Sequence, residues 1–340
     1  MEVKRRPGVP SQWRVAVGEP SQVAEARRRA VPVAERAGLD ATRAGILALI
    51  VTEVATNLVK HAQGGEIIVR GFEDGRGAGV EVLSLDRGPG MADVQACFRD
   101  GFSSAGTAGN GLGSIRRQAD EFDIYSRPGV GTALVARVRV AGGAPPSGLA
   151  CGVVCLPLAG ETEPGDSWDV VTAGPLTRAL VVDGIGHGVA AAEAAEIAVQ
   201  SFREGASLPI VRLMEEIHLA LRGSRGAVGA IVELDAARRQ VRFVGIGNIA
   251  AAVWTPARQQ NLVSMNGTLG QVAARPKEFS YPWPEGALVI AHSDGLQSRW
   301  SLDNHPGLAA RDPGLVAAVL YREFTRGRDD VTVLVLRGAA

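Results

Sequence analysis

Two groups of acidic and glycine residues stand out in this sequence, and their chemistries oppose each other. The first runs through residues 53–113: Glu53-x-x-x-Asn57, then Asp86-Arg-Gly88-Pro-Gly90, then Gly109-Asn-Gly111-Leu-Gly113. The second runs through residues 165–330: Gly165-Asp166-x-x-Asp169, Asp183-Gly184-x-Gly186-His187-Gly188, Ser293-Asp294-Gly295 and Asp329-Asp330. The first group reads as an ATP site. The second reads as a two-metal site for removing phosphate.

In the first group, Glu53, Asn57, Lys60 and His61 fall at i, i+4, i+7 and i+8, which is one face of a helix. The amide oxygen of Asn57 can ligate Mg²⁺ and leave the rest of the shell to phosphate oxygens. Glu53, one turn away, can accept a proton from an attacking hydroxyl. Lys60 joins them as a candidate nucleotide contact. Asp86 ends a strand, where its carboxylate can accept from the exocyclic amine of adenine while Gly88 and Gly90 let the backbone approach the ring. Gly109, Gly111 and Gly113 lead into a helix whose unhindered N–H groups suit phosphate. The small, polar segment 98–108 reads as a lid over the nucleotide. Alone, each motif has a plainer explanation, a solvated helix face or a turn. In this order, each in its fitting strand or helix context, they read as an ATP site.

The second group places Asp166, Asp169, Asp183, Asp294 and Asp329 at strand ends and turns. Oxygen ligands without clustered His or Cys favour Mg²⁺ or Mn²⁺ over Zn²⁺. The Gly184 carbonyl is unobstructed and can serve as a further ligand. Two such ions can hold a hydroxide for in-line attack on phosphorus and neutralise the phosphoryl oxygens. One Asp-Gly pair alone would be a turn; four spaced motifs in a β-rich region exceed what turns require. His187, flanked by glycines, reads as a turn or hydrogen-bonding residue.

These residues need elements to position them. A short strand is expected at 13–17, a helix capped by Ser21, and a longer helix capped by Asp40 with apolar residues at helical spacing from Ile46 to Leu58. Strands follow at 66–72 and 79–86, a helix at 111–120, and strands at 122–126 and 132–140. Helices packed on one side of an antiparallel or mixed sheet fit that order. The segment 141–148, rich in Gly, Pro and Ser, reads as a linker. Beyond it, strands are expected at 153–158, 168–172, 176–182, 227–234, 240–245, 250–254, 287–292 and 331–337, with helices at 188–204 and 208–222. Two sheets flanked by helices are the simplest arrangement.

The chain has 340 residues, enough for two cores, with 46% apolar and 21% charged residues. Its formal net charge of zero gives no general attraction to nucleic acid or anionic membrane. No uninterrupted apolar run reaches the roughly 20 residues that span a bilayer, and no signal peptide is expected at the N-terminus. Three cysteines suit a reducing, cytoplasmic setting. Cys151 and Cys155, four apart on one strand, read as small core residues.

The motifs also carry a resemblance to known families. Residues 10–140 resemble the GHKL ATPase fold, and within it the anti-sigma-factor serine kinases and stressosome-type switch kinases. Glu53 with Asn57 matches that family's N box, Asp86-x-Gly88-x-Gly90 its G1 box, and Gly109-x-Gly111-x-Gly113 its G2 box. The resemblance implies binding of Mg·ATP, transfer to a serine or threonine of a STAS-domain antagonist or stressosome protein, and a capacity to dimerise. Residues 148–338 resemble the SpoIIE/PP2C-like (PPM) serine phosphatases. By that resemblance Asp183 bridges two metals with the Gly184 carbonyl as a further ligand, Asp294 and Asp329 hold the second ion, and Asp166 serves the first directly or through water. Asp330 is the weaker candidate of the acidic pair. The expected fold is α+β: a GHKL (Bergerat-type) α/β sandwich over 1–140, a linker over 141–148, and a PP2C-like αββα sandwich over 149–340. The expected function is a bifunctional switch that phosphorylates and dephosphorylates a STAS-type partner. The alternatives are a phosphatase whose first half is an ATP-binding regulator, or an anti-sigma module that binds a sigma factor.

Overall fold

The computed structural model describes residues 12–75, 77–98, 111–140, 149–173, 176–272 and 275–338. The predicted linker, the segment 99–110 and Gly109 lie outside these residues. The described chain falls into two compact units, one of residues 12–140 with 305–319, the other of residues 149–304 with 320–338.

The first unit opens with β1 (Gln12–Val17), α1 (Pro20–Arg36) and α2 (Ala41–His61), then β2 (Gly65–Asp74), β3 (Gly77–Asp86), α3 (Gly111–Gln118), β4 (Glu121–Arg127) and β5 (Gly131–Arg139). The start of α1 differs from expectation. Gln22 accepts from the backbone N–H groups of Gly18 and Glu19, so the helix begins at Pro20 and Ser21 lies within its first turn. The cap of α2 is as expected: the Asp40 carboxylate accepts from the Arg43 N–H at 2.8 Å.

The sheet is antiparallel in the order β1-β2-β3-β5-β4. Strand alternation sends Ile67, Val69, Val80, Val82, Leu134, Ala136 and Val138 to one face. There they form a single core with Ala26, Ala30 and Val33 of α1 and Leu47, Ile50, Val51, Val54 and Leu58 of α2. Each large side chain buried this way contributes on the order of 1.5–3 kcal/mol. By length and mean hydropathy α2 could cross a membrane, but its apolar face is spent in this core.

The intervening strand positions carry a row of charges. Arg70, Glu81, Arg137 and Glu121 stand directly opposite one another across β2, β3, β5 and β4. Glu81 accepts from Arg70 at 2.6 Å and from Arg137 at 2.7 Å. Arg137 also grips Asp312 with two bonds, at 2.7 and 2.8 Å.

The second unit contains β6 (Ala150–Leu156), β7 (Asp166–Ala173), β8 (Leu176–Gly184), α4 (Val189–Glu204), α5 (Ile210–Ala220), β9 (Ala227–Asp235), β10 (Gln240–Ile246), β11 (Ala250–Thr255), β12 (Arg258–Asn261), β13 (Phe279–Pro282) and β14 (Leu288–His292). Along the chain α6 (Pro313–Phe324) and β15 (Val331–Arg337) follow. The sequence reading lacked β12, β13 and α6. The two strands are four residues each and mostly polar or aromatic, and they sit at sheet edges where one face meets solvent.

Two five-stranded sheets, β13-β10-β9-β8-β7 and β12-β11-β14-β15-β6, face each other. Val181, Val232 and Phe243 of one meet Val153, Val253, Val289 and Leu334 of the other. The opposite face of the first sheet, with Leu180, Val182, Ile231 and Val244, is covered by α4 and α5 through Ala195, Val199, Phe202, Leu213 and Ile217. Cys155 is buried in the inter-sheet core and Cys151 packs at its margin, as small core residues do. Cys97, Cys151 and Cys155 are all unbridged.

Candidate functional site

In the first unit, α2 holds Glu53 and Asn57 one turn apart, and the start of α3 comes up against them. A Cβ built on Gly111 would lie 3.2 Å from Glu53 Oε2 and 3.4 Å from Asn57 Oδ1. Two motifs more than 50 residues apart in sequence are therefore in contact, and the bare backbone at Gly111 is what allows it. Gly113, buried, continues α3. Lys60 is exposed on the last turn of α2, farther along the same face.

Asp86 closes β3. Its Oδ1 accepts from the Gly88 N–H at 2.8 Å and from the Thr132 N–H at 3.1 Å, which fixes the carboxylate between the G1 turn and β5. Gly90 adopts φ +67°, and a Cβ there would meet the Arg127 carbonyl at 2.0 Å. The turn therefore needs glycine both for its conformation and for its close approach to the β4–β5 hairpin. Thr132, whose hydroxyl lies 2.9 Å from that of Ser126, belongs to this end of the site and escaped the sequence reading. Its only signal was its place after the Gly129–Gly131 turn.

In the second unit, sheet register does the assembling. Asp166 at the start of β7 pairs directly with Asp183 near the end of β8. Ser293 donates to Asp166 Oδ2 at 2.6 Å and accepts from the Thr332 N–H at 2.9 Å, so the Ser293-Asp294 turn is tied to both β7 and β15. That turn is backed by His292, whose Nδ1 donates to the Ser293 carbonyl and whose Nε2 accepts from Trp300. Burial, opposed only in part by the Ser293 bond, pulls the His292 pKa down and favours this neutral ring. A Cβ on Gly295 would lie 1.9 Å from the Asp330 carbonyl, so the Asp294 and Asp329 loops touch through a glycine.

Asp183, Asp294 and Asp329 line one cavity of about 540 Å³, with Gly186, His187, Gly247, Asn248, Asn266 and Arg328. Gly184, whose N–H donates to the Gly165 carbonyl, sits beside it where any Cβ would strike the Ala191 carbonyl at 2.2 Å. The carboxylates raise one another's pKa. Burial and then the charges of Asp166, Asp294, Asp329 and Asp330 lift Asp183 to about 9. Burial first, with Asp330 and Asp329 adding and Ser293 and Thr332 opposing, lifts Asp166 to about 7. Asp294 rises through burial and Asp329, partly relieved by Arg326. Carboxylates this close together, with oxygen donors only, could hold a hard divalent ion. Among the described residues no three acidic, His or Cys side chains close on one point.

Two acidic residues in the motifs do other work. Asp330 accepts from the Leu158 N–H at 2.7 Å and the Gly165 N–H at 2.8 Å, and so fastens the loop that precedes Asp166. Asp169 lies three residues after Asp166, on the opposite face of β7, and binds Arg203 of α4 at 2.6 Å. His187 Nδ1 lies 2.8 Å from Glu161, the hydrogen-bonding part expected of it, and it also lines the cavity. Asn248 donates to Asp294 Oδ2 at 2.7 Å.

The model of the histidine kinase-like ATPase domain matches residues 17–138, and that of stage II sporulation protein E (SpoIIE) matches residues 174–338. The serine/threonine-protein kinase RsbT of Bacillus subtilis (strain 168) is 31% identical over 114 residues, 34% of this chain and 86% of RsbT. The chain belongs to the histidine kinase-like ATPase family and carries a SpoIIE domain. The SpoIIE half is similar to the phosphoserine phosphatase RsbX of Bacillus subtilis (strain 168), 24% identical over 138 residues, 40% of this chain and 69% of RsbX. A crystal structure of RsbX in complex with magnesium shares the fold, with a TM-score of 0.50 at 20% identity over 58% of this chain and 98% of that one. A structure solved for the bacterial stressosome aligns with a TM-score of 0.52 at 29% identity, over 56% of this chain and 99% of that chain. The N box, G1 and G2 residues thus lie in the ATPase domain, and the aspartate cavity lies in a PP2C-like phosphatase domain. Both halves are of the kind found in partner-switching signalling proteins.

Proposed function

We propose that the chain is a two-way phosphorylation switch acting in the cytoplasm on a STAS-domain partner of the stressosome type. The observation that carries this reading is that each half brings its reactive groups together: Glu53 and Asn57 against Gly111, and Asp183, Asp294 and Asp329 around one cavity.

In the ATPase domain, Asp86 would take the adenine amine, with Gly88 and Gly90 admitting the ring. Gly109, Gly111 and Gly113 would present backbone N–H groups to the phosphates, and Lys60 would approach them from the end of α2. Asn57 would hold Mg²⁺, which neutralises the phosphate oxygens. Glu53 would take the proton of the partner's serine or threonine hydroxyl as its oxygen bonds to the γ-phosphorus and ADP departs.

In the SpoIIE domain, Asp166, Asp183, the Gly184 carbonyl, Asp294 and Asp329 would hold two Mg²⁺ or Mn²⁺ ions, which supply a water acidic enough to attack as hydroxide near neutral pH. The all-oxygen donor set and the magnesium in the RsbX structure support that choice. Asp166 and Asp183 would keep their place through the β7–β8 pairing, and Asp330 would keep the preceding loop closed. The attack makes one P–O bond, breaks the bond to the serine oxygen and returns a proton to that oxygen.

The test is incubation with γ-labelled ATP and a STAS-domain substrate, first with Mg²⁺ alone and then with added Mn²⁺. Label that enters the partner and is then released supports the switch. Release from a pre-phosphorylated partner without any entry of label would leave a phosphatase with a nucleotide-binding regulator.

A further inference from the structure

The cavity that holds Asp183 opens beside a second one of about 370 Å³, lined by Asp294, Gln297, Thr325, Arg326, Arg328 and Asp329. Asp294, Arg328 and Asp329 line both. Among the described residues Arg328 makes no hydrogen bond or ion pair, although Asp294 and Asp329 line both cavities with it. The charge of Arg326 is felt at Asp294, and among the described residues no carboxylate holds its guanidinium.

The loop bearing the two arginines is firmly placed. The Arg326 N–H donates to the Gly295 carbonyl at 2.8 Å, and the Gln297 N–H to the Phe324 carbonyl at 2.9 Å. Leu296 and Thr325 form an isolated antiparallel bridge. Gly327, at φ +64°, turns the chain between the two arginines. The strand–loop contacts that set Asp294 and Asp329 therefore set Arg326 and Arg328 as well.

We propose that this second cavity is the subsite for the phosphoseryl segment of the protein substrate, with Arg328 binding the phosphoryl oxygens and Arg326 an acidic residue beside the phosphoserine. The proposal rests on the phosphatase reading of the neighbouring carboxylates. A phosphoserine carries close to two negative charges, and guanidinium groups at the rim of the aspartate cluster would add to the attraction of the metal ions proposed there and orient the phosphoryl group. A guanidinium offers two parallel N–H donors to a phosphoryl group, which an ammonium cannot. A guanidinium already engaged by a carboxylate could not serve; Arg328 is not engaged.

The probe is a peptide that carries a non-hydrolysable phosphonate in place of phosphoserine, flanked by acidic residues, with binding read by fluorescence anisotropy in Mn²⁺. Arg328→Ala is expected to weaken binding about tenfold or more, the loss of a charged bidentate contact, with Arg328→Lys recovering part of it. Arg326→Ala should weaken the acidic peptide and leave a peptide with neutral flanks unchanged. In turnover, Arg328→Ala should raise KM for both a phosphopeptide and p-nitrophenyl phosphate, and Arg326→Ala for the phosphopeptide alone. Unchanged phosphonate binding by Arg328→Ala, with an unaltered melting curve, overturns the proposal. Failure of the wild-type protein to release phosphate from either substrate, with phosphonate binding intact, would instead overturn the phosphatase reading and leave an anion-binding site.

Discussion

Asp329 and Asp330 are adjacent in sequence and differ in use. Asp329 lines the cavity with Asp183 and Asp294, whereas both oxygens of Asp330 are taken up by the backbone N–H groups of Leu158 and Gly165. Replacing Asp330 by Ala should therefore cost stability, about 2–4 kcal/mol for two lost bonds to a charged group, readable as a lower midpoint in urea. The loop before Asp166 should loosen, and Mn²⁺ affinity fall with it. An unchanged midpoint would remove Asp330 from this role. Asp169 teaches a related lesson. Its motif groups it with Asp166, yet an odd separation along a strand sends the two side chains to opposite faces, and Arg203 claims it.

At the scale of elements, the charged row across β2, β3, β5 and β4 is the feature that sequence periodicity did not disclose. Strands with Arg and Glu at alternate positions look as if one face were wet, but Glu81 is fully buried. Burial alone would raise its pKa; Arg70 and Arg137 together outweigh that and hold it down to about 2. A carboxyl whose folded pKa lies below its unfolded value stabilises the fold above the unfolded value and loses that contribution as pH falls through the folded one. The thermal midpoint of the ATPase unit should accordingly fall between about pH 4.5 and 2. Glu81→Gln should flatten that part of the profile and cost roughly 3–5 kcal/mol, since it removes the buried carboxylate that Arg70 and Arg137 share. An equally steep acid limb in the variant would assign the titration elsewhere. The cap of α2 is a smaller effect: Asp40→Ala should lower stability by about 1 kcal/mol, checked by denaturant unfolding.

For the whole molecule, the two opposing chemistries proposed for this chain should separate by mutation. Asp183→Asn is expected to end Mn²⁺-dependent phosphate release while labelling of the proposed STAS-domain partner persists. Glu53→Ala should bind ATP with near-normal affinity, transfer none, and still release. Mixing the two variants should restore both directions, read as label entering and then leaving the partner; absence of either direction in the mixture would refute independent sites. Much of this was legible in the sequence because it is written locally. The Asp40 cap, helix spacing, strand alternation and glycine turns follow from neighbours a few residues away, and so do the motif residues Glu53, Asn57, Asp86, Asp183 and Asp294; the cap of α1, expected at Ser21, did not. What only the tertiary structure decided depends on pairing across long separations. The β7–β8 register set Asp166 opposite Asp183, Gly111 came to rest on Glu53 and Asn57, and Gly295 met the Asp330 carbonyl. Those same contacts carried Arg328 to the rim of the aspartate cavity, because register and loop contact are fixed by the packing of whole sheets, to which no short window of sequence has access.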